Sequence, residues 1–256
     1  MRRGKNLIKL IIHKAVVAGV WVCLVMVSGI YAGSGRESTL PSVSFKDQSA
    51  AAFRILALGD SYTIGQGVRA QDRWPSQLAD SIGQTGAEVE VVYVARTGWT
   101  TQNLLDALGQ NPPQGTFDLV TLLIGVNNQF QGLPFSLFEQ HFPQLINLAL
   151  SFVDSVTERV QVVSIPDYGY TPFGLRQSAE ARTRISQEID RYNQWKREYA
   201  SSREISFADI TPITRRGLDQ PELVAGDGLH PSALAYQMVA QRVFQDALCR
   251  CILPDR

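Results

Sequence analysis

Short apolar runs alternate with longer amphipathic segments over most of this chain, and this alternation restricts its fold more than any other feature. The runs are rich in Val, Ile and Leu, as in strands that are covered on both faces. Strands separated by helices predict a three-layer α/β/α sandwich with a mainly parallel, five-stranded sheet. The predicted strands are Arg54–Leu58, Val89–Ala95, Leu119–Ile124, Val160–Ile165 and Ile205–Ala208.

Segments with apolar residues at helical spacing lie between and after these strands. In one of them Pro143 interrupts the pattern and indicates a kink or a break. In the last one Pro231 is placed where it would occupy the first turn of the helix. The predicted helices are Trp74–Ser81, Thr101–Leu108, Leu137–Asp154, Ser178–Ser201 and Pro231–Leu248.

The N-terminal part of the chain has a different composition. Five basic residues precede an apolar run of 18 residues at 15–32, and no acidic residue occurs before Glu37. This pattern predicts a signal peptide or an uncleaved signal anchor over residues 1–32, with 15–32 as a membrane tether in the second case. The rest would then be exported to the periplasm or the cell exterior, or held outside the cytoplasm at a membrane. Residues 33–51 are predicted to form a linker, and 52–256 a single domain.

Charge and motif content argue against several classes of function. Without the five leading basic residues, 19 basic side chains stand against 24 acidic ones, which argues against nucleic acid as a partner. The sequence has neither a Gly-x-Gly-x-x-Gly fingerprint nor a P-loop, so nucleotide cofactors are disfavoured. Cys249 and Cys251 follow the last helical pattern, and they could form a small disulfide, pair between molecules or stay as free thiols.

Two short motifs carry residues that suit nucleophilic catalysis. Ser61 comes after Gly59 and Asp60 at the carboxyl end of the first predicted strand, where open α/β sheets form their sites. Near the end of the chain, Asp227 lies three residues before His230. A hydroxyl, an imidazole and a carboxylate supply a nucleophile, a general base and a group that orients the base.

Each motif also has a plain structural interpretation. Asp60 or Ser61 could cap a helix after a strand-to-helix turn, and Asp227 with His230 could mark the start of a helix. His141 lies inside a predicted helix without an acidic or nucleophilic motif around it, so a surface or packing role is predicted for it. Because Gly-x-Ser-x-Gly is absent from the sequence, the nucleophile elbow of α/β-hydrolases is disfavoured.

The segment Gly59-Asp60-Ser61-Tyr62 resembles block I of the SGNH (GDSL-type) hydrolases. Gly98, after the second predicted strand, resembles the block II glycine. Gly125-Val126-Asn127-Asn128, after the third, resembles block III, which is usually Gly-x-Asn-Asp. Asp227-x-x-His230 resembles block V. The blocks occur in the family's order within about Phe53–Leu248, and the resemblance implies the flavodoxin-like fold of that family.

The resemblance implies a serine esterase that needs no cofactor and no metal, with Ser61 as nucleophile, His230 as base and Asp227 as its partner. It also implies that the backbone N–H groups of Ser61 and Gly98 and the side chain of Asn127 bind the oxyanion. The implied substrates are carboxylic esters such as lysophospholipids, other acyl esters or acetylated glycans. The residues predicted to line the substrate pocket are Trp99, Asn128, Phe130, Tyr168 and Phe173.

The family's usual Asp is replaced here by Asn128, which puts the local hydrogen bonding of that loop in doubt more than the chemistry. Two other functions stay open: a tethered, non-catalytic module that binds glycan or lipid, and an acyltransferase that uses the same triad. A metal-dependent phosphoesterase is disfavoured, because His-x-Asp and His-x-x-x-His spacings are absent and the chain has three histidines in all.

Overall fold

The computed structural model describes residues 52–247. The predicted signal peptide or anchor, the linker 33–51 and the cysteines at 249 and 251 lie outside the described residues, so these predictions stay predictions. Within the described part, no helix combines the length and the apolar content that crossing a membrane requires.

Five parallel strands form one sheet in the described part of the chain, so the predicted sheet is confirmed. Each predicted strand is present, with ends that differ by at most two residues. Their order is β2-β1-β3-β4-β5, and the central strand β3 is buried along its whole length. The strands are β1 (Phe53–Gly59), β2 (Val89–Ala95), β3 (Leu119–Leu123), β4 (Val160–Val163) and β5 (Ser206–Ala208).

Helices cover both faces of the sheet and complete the three layers. The α-helices of the described residues are α1 (Trp74–Gly83), α2 (Thr101–Gln110), α3 (Val126–Phe130), α4 (Phe135–Ser151), α5 (Ala179–Ser202), α6 (Thr211–Thr214) and α7 (Ala233–Ala247). α1 packs against α7, and α4 packs against α2. α4 and α5 meet through aromatic side chains, among them Phe138 and Tyr192, whose ring centres are 4.7 Å apart.

Of the kink or break predicted at Pro143, the break is wrong, and the kink stays a prediction. α4 runs without a break through Pro143, because Phe138, Phe142 and Ile146 bury one continuous face of the helix and outweigh the missing N–H group. The predicted place of Pro231 is also wrong. Pro231 is not in the first turn of α7: it forms an antiparallel bridge with Val224, and the helix begins two residues later. The short helices α3 and α6 were not predicted, since they are shorter than any periodic pattern that sequence reveals.

A buried lysine joins two neighbouring strands of the sheet. The ammonium of Lys196, on α5, donates to the carbonyl oxygens of Ile124 (3.1 Å) and Val163 (2.6 Å), where β3 and β4 end. Burial lowers the pKa of Lys196 to about 7, and the negative charge of Asp60 opposes that change. Burial likewise raises the pKa of Asp60 to about 7, against a hydrogen bond from the Tyr62 amide and the charge of Lys196.

We expect Lys196 to make stability depend on pH in alkaline solution. Because its pKa is near 7 in the folded state and 10.5 ordinarily, the unfolded chain binds more protons between these values. The free energy of unfolding therefore rises with pH across this window, by at most about 1.4 kcal/mol per pH unit. Urea denaturation from pH 7 to 10 should show a smaller rise in Lys196→Met than in wild type and in Arg184→Met, an exposed site on the same helix. Equal slopes in all three proteins would contradict this account.

Candidate active site

Ser61 lies in a tight turn directly after β1. The N–H group of Ile64 donates to the carbonyl oxygen of Asp60 (3.1 Å), and the Asp60 carboxylate accepts a hydrogen bond from the N–H group of Tyr62 (3.0 Å). Since α1 begins only at Trp74, neither Asp60 nor Ser61 caps a helix. The turn therefore holds the serine at the carboxyl end of the sheet, and Ser61 is 4 % exposed.

Asp227 and His230 lie in a short loop before α7, residues 225–230, which we call the histidine loop. Asp227 Oδ1 accepts hydrogen bonds from the N–H groups of Leu229 and His230, both at 2.9 Å. The N–H group of Ala225 donates to the carbonyl oxygen of His230 at 2.8 Å and closes the loop. One carboxylate oxygen thus shapes the loop, and the other remains for the imidazole.

The structure brings Ser61, His230 and Asp227 into one hydrogen-bonded array. His230 Nε2 is 3.0 Å from Ser61 Oγ, and His230 Nδ1 is 2.7 Å from Asp227 Oδ2. When the carboxylate accepts the proton of Nδ1, the lone pair of Nε2 faces the serine hydroxyl. This is the relation that a general base needs toward a nucleophile.

The surroundings of Asp227 favour its ionised form. Partial burial opposes ionisation, but the hydrogen bonds from the His230 and Leu229 amides and from the His230 ring outweigh it and lower the pKa of Asp227 below its usual value. The side chain is 34 % exposed. Asp227 is therefore a carboxylate at neutral pH, and it can stabilise an imidazolium at His230.

Ser61, Gly98 and Asn127 follow three neighbouring strands at the same edge of the sheet. The last residue of β1 pairs in register with the last residues of β2 and β3, so the three segments leave the sheet side by side. Thr97 Oγ1 donates to Gln66 Oε1 at 2.6 Å and joins the loop of Gly98 to the turn of Ser61. Gly98 has φ +79°, a conformation that favours glycine.

Side chains at α3 hold the loop of Gly98 from its other side. Asn127 Nδ2 donates to the carbonyl oxygen of Trp99 at 3.0 Å, and Gln131 Nε2 donates to that of Gly98 at 3.2 Å. The second N–H of the Asn127 amide remains for a ligand. The segments that carry the predicted oxyanion donors are thus bonded to one another.

Asn128 is not available to a substrate, so its predicted place in the pocket is wrong. The side chain is fully buried, and both ends of its amide are bonded to Thr101 at the start of α2. Oδ1 accepts from the Thr101 N–H group at 3.0 Å, and Nδ2 donates to Thr101 Oγ1 at 2.9 Å. The residue joins two segments of the protein instead of lining a cleft.

Three of the predicted pocket residues form an aromatic cluster next to the histidine loop. The ring centres of Phe130 lie 5.6 Å from Tyr168 and 6.0 Å from Phe173. The N–H group of Phe173 donates to the carbonyl oxygen of Gly228 at 2.8 Å, which fixes the cluster to the histidine loop. Phe130 is 52 % exposed. Trp99, the remaining predicted residue, is partly buried against the core.

Two residues without a predicted role complete the geometry. Gly67 has φ +88°, and a Cβ atom there would lie 3.3 Å from Asp227 Oδ2, so the turn of Ser61 approaches the carboxylate closely. The ring of Tyr62 lies 4.9 Å from that of His230 and supports it. A glycine six residues after the serine is a weak signal in sequence, and the contact of Tyr62 depends on a residue 168 positions away.

The fold and the site together define a class of protein. A Ser–His–Asp array beside polar donors, at the carboxyl edge of a parallel sheet, is the arrangement of a serine hydrolase. The sequence profile of the GDSL-like lipase/acylhydrolase family matches residues 57–238, and the chain belongs to this family. The resemblance in the four blocks is thereby confirmed, and the protein is a carboxylic ester hydrolase.

Similar proteins include one curated relative and several solved structures. The chain is 28 % identical over 200 residues to an arylesterase of Vibrio mimicus, covering 77 % of this chain and 90 % of the relative. A lipase/acylhydrolase from Enterococcus faecalis is 22 % identical, with a TM-score of 0.56 over 75 % of this chain and 94 % of the other. A lipase from the goat rumen metagenome is 15 % identical, with a TM-score of 0.58 over 76 % and 97 %. The two structures show the shared fold.

We expect the charge of Asp227 to be required for activity. Asp227→Asn keeps the shape of the side chain but presents an amide N–H₂ or a neutral oxygen to the imidazole, so the tautomer with a free Nε2 lone pair is no longer enforced. The kcat for p-nitrophenyl acetate should fall by about 10³- to 10⁴-fold. Asp219→Asn, at an exposed aspartate, is the matched control. A kcat within tenfold of wild type in Asp227→Asn would contradict the assigned geometry.

Proposed function

We propose that this enzyme hydrolyses carboxylic esters of short or aryl groups through an acyl-enzyme on Ser61, without a cofactor. One observation carries the proposal: His230 Nε2 lies 3.0 Å from Ser61 Oγ while the carboxylate of Asp227 holds Nδ1. This geometry supports proton transfer from the hydroxyl in the same step in which it attacks.

In the first half of the reaction, Ser61 Oγ bonds to the acyl carbon, its proton passes to His230 Nε2, and the carbonyl electron pair moves to oxygen. His230 then gives the proton to the leaving alcohol as the ester C–O bond breaks. In the second half, water repeats these steps on the acyl-enzyme and returns the proton to Ser61. Asp227 stabilises the imidazolium each time it forms.

The negative oxygen of each tetrahedral intermediate needs donors that are already in place. We assign the backbone N–H groups of Ser61 and Gly98 and the side chain of Asn127 to this task. The alignment of the three strand ends and the hydrogen bond from Asn127 to Trp99 support the assignment. Because these donors belong to folded segments, they need little reorganisation when charge develops.

Two observations support short or aryl groups in the substrate. The cleft next to His230, which Tyr62 and Leu229 also line, has a volume of about 10 Å³, so it gives an acyl chain little room beside the imidazole. Apolar groups of the substrate would therefore rest on the partly exposed aromatic cluster of Phe130, Tyr168 and Phe173. The arylesterase of Vibrio mimicus is consistent with this class. An acetylated glycan also has a short acyl group and fits the same reasoning.

The N-terminal sequence supports a place of action outside the cytoplasm. The basic residues before the apolar run at 15–32 support export, with the hydrolase outside the cytoplasm or tethered to a membrane. Ester substrates in that compartment include lipids and acylated glycans.

A covalent probe tests the role of Ser61 directly. Wild type should react with a fluorophosphonate at one site per molecule, and Ser61→Ala should lose both labelling and turnover, by about 10³-fold or more in kcat. Ser201→Ala, at an exposed serine, should behave as wild type. Rates should fall from p-nitrophenyl acetate through butyrate to decanoate. Folded wild type that neither labels nor turns over would overturn the proposal in favour of a binding module, and a decanoate rate above that for acetate would overturn the short-chain assignment.

The aromatic cluster should affect substrate binding more than chemistry. Phe130→Ala removes an exposed ring, so we expect stability close to wild type and a KM for phenyl acetate raised by about three- to tenfold. The KM for ethyl acetate should change less than twofold, because its alcohol group offers no ring. Leu234→Ala, at another exposed apolar residue, is the control. Equal changes for the two esters would show that the cluster does not recognise aryl groups.

A further inference from the structure

Adjacent residues of α3 bind the same loop segment at two points. Asn127 donates to the carbonyl oxygen of Trp99, and Asn128 accepts from the N–H group of Thr101, two residues further on. Between them, Thr100 caps the start of α2 in a capping box that Asn103 completes, so the segment is also held by its own helix. The stretch that starts at Gly98 is thus fixed from α3 and from α2.

The bond between Asn128 and Thr101 has a defined direction. Thr101 Oγ1 accepts a hydrogen bond from Asn128 Nδ2 at 2.9 Å, so the hydrogen of its own hydroxyl is free for another acceptor. His141 Nδ1, from α4, lies 3.2 Å from the same oxygen. Burial lowers the pKa of His141, against the charge of Asp106, so the ring is neutral at pH 7 and can accept at Nδ1. The chain of donors then runs from Asn128 through Thr101 to His141.

We propose that Asn128 is a positioning residue for the oxyanion site, and that Thr101 and His141 complete a buried hydrogen-bond chain which holds the segment 98–101 against α3. This inference rests on the proposed function, because it concerns the placement of the Gly98 N–H group relative to Asn127. All three side chains are buried, so water competes little for these bonds. None of the three touches the reacting atoms in this role.

The amide at position 128 determines which group donates and which accepts along the hydrogen-bond chain to His141. An amide both accepts from the Thr101 N–H group and donates to its hydroxyl, whereas a carboxylate can accept from both. With Asp at 128, the Thr101 hydroxyl would donate to the carboxylate, and its oxygen would then accept a hydrogen bond from the N–H group at His141 Nδ1. The loop would still be held, but the ring of His141 would carry its proton on Nδ1.

Kinetics of two variants test the positioning role. Asn128→Leu fills a similar volume but removes both bonds to Thr101, and its kcat for p-nitrophenyl acetate should fall about tenfold, with KM within about twofold. Asn128→Asp should keep kcat within about threefold of wild type, since it still holds the loop. Asn147→Asp, on the exposed face of α4, is the control. A folded Asn128→Leu protein with wild-type kcat would overturn the proposal.

If Asn128→Leu does not fold, Thr101→Val takes its place. Valine keeps the hydrogen bond from the backbone N–H group of residue 101 to Asn128, but it removes the hydroxyl that links Asn128 to His141. The kcat should therefore fall about threefold or more, with KM unchanged. An unchanged kcat in Thr101→Val would equally overturn the proposal.

Nitrogen NMR of the His141 ring tests the direction of these hydrogen bonds independently of catalysis. Long-range ¹H–¹⁵N spectra of wild type at pH 7 should show a proton on Nε2 and none on Nδ1, and Asn128→Asp should place a proton on Nδ1. The opposite state in wild type would overturn the proposed chain. A wild-type protein that fluorophosphonate does not label would instead refute the proposed function, while these spectra would still report on the hydrogen-bond chain.

Discussion

Parallel pairing of β1 with both β2 and β3 is the constraint on which the site depends. Because the three strands end in the same register, the chain leaves the sheet three times within a few ångströms along the strand direction. The turn of Ser61, the loop of Gly98 and the helix of Asn127 therefore start from one edge. Hydrogen bonds between side chain and backbone can then join them, as Asn127 does with Trp99.

Behind this edge the protein places polar groups in a dry environment. Asp60 and Lys196 are both fully buried. The side-chain nitrogen of Lys196 donates hydrogen bonds to the two carbonyl oxygens where β3 and β4 end. In the same way, the buried side chain of Asn128 joins α3 to the start of α2 by two hydrogen bonds. Buried polar groups cost free energy unless they are bonded, and bonded ones resist displacement by water. They restrict the movement of the segments that carry Ser61 and Gly98, and such preorganisation is what stabilisation of an oxyanion needs.

The histidine loop reaches the serine from the far end of the chain, and three contacts support that approach. Gly67 lets the turn after β1 come close to Asp227, Tyr62 packs on the ring of His230, and Phe173 donates to the backbone of the loop. The last contact also places the aromatic cluster beside the imidazole. The groups proposed for chemistry and for substrate binding are thus fixed to the same short loop.

The sequence by itself determined the succession of strands and long helices along the chain and the residue types of the site. Alternating apolar runs are a local property, and Ser61 and His230 occur in motifs that can be found without coordinates. The tertiary structure decided what depends on contacts between distant segments. It buried Asn128 against Thr101, kept α4 unbroken at Pro143 and placed the amine of Lys196 where β3 and β4 end. Packing energy and the need to pair buried polar groups act between residues far apart in sequence, so local patterns do not reveal them.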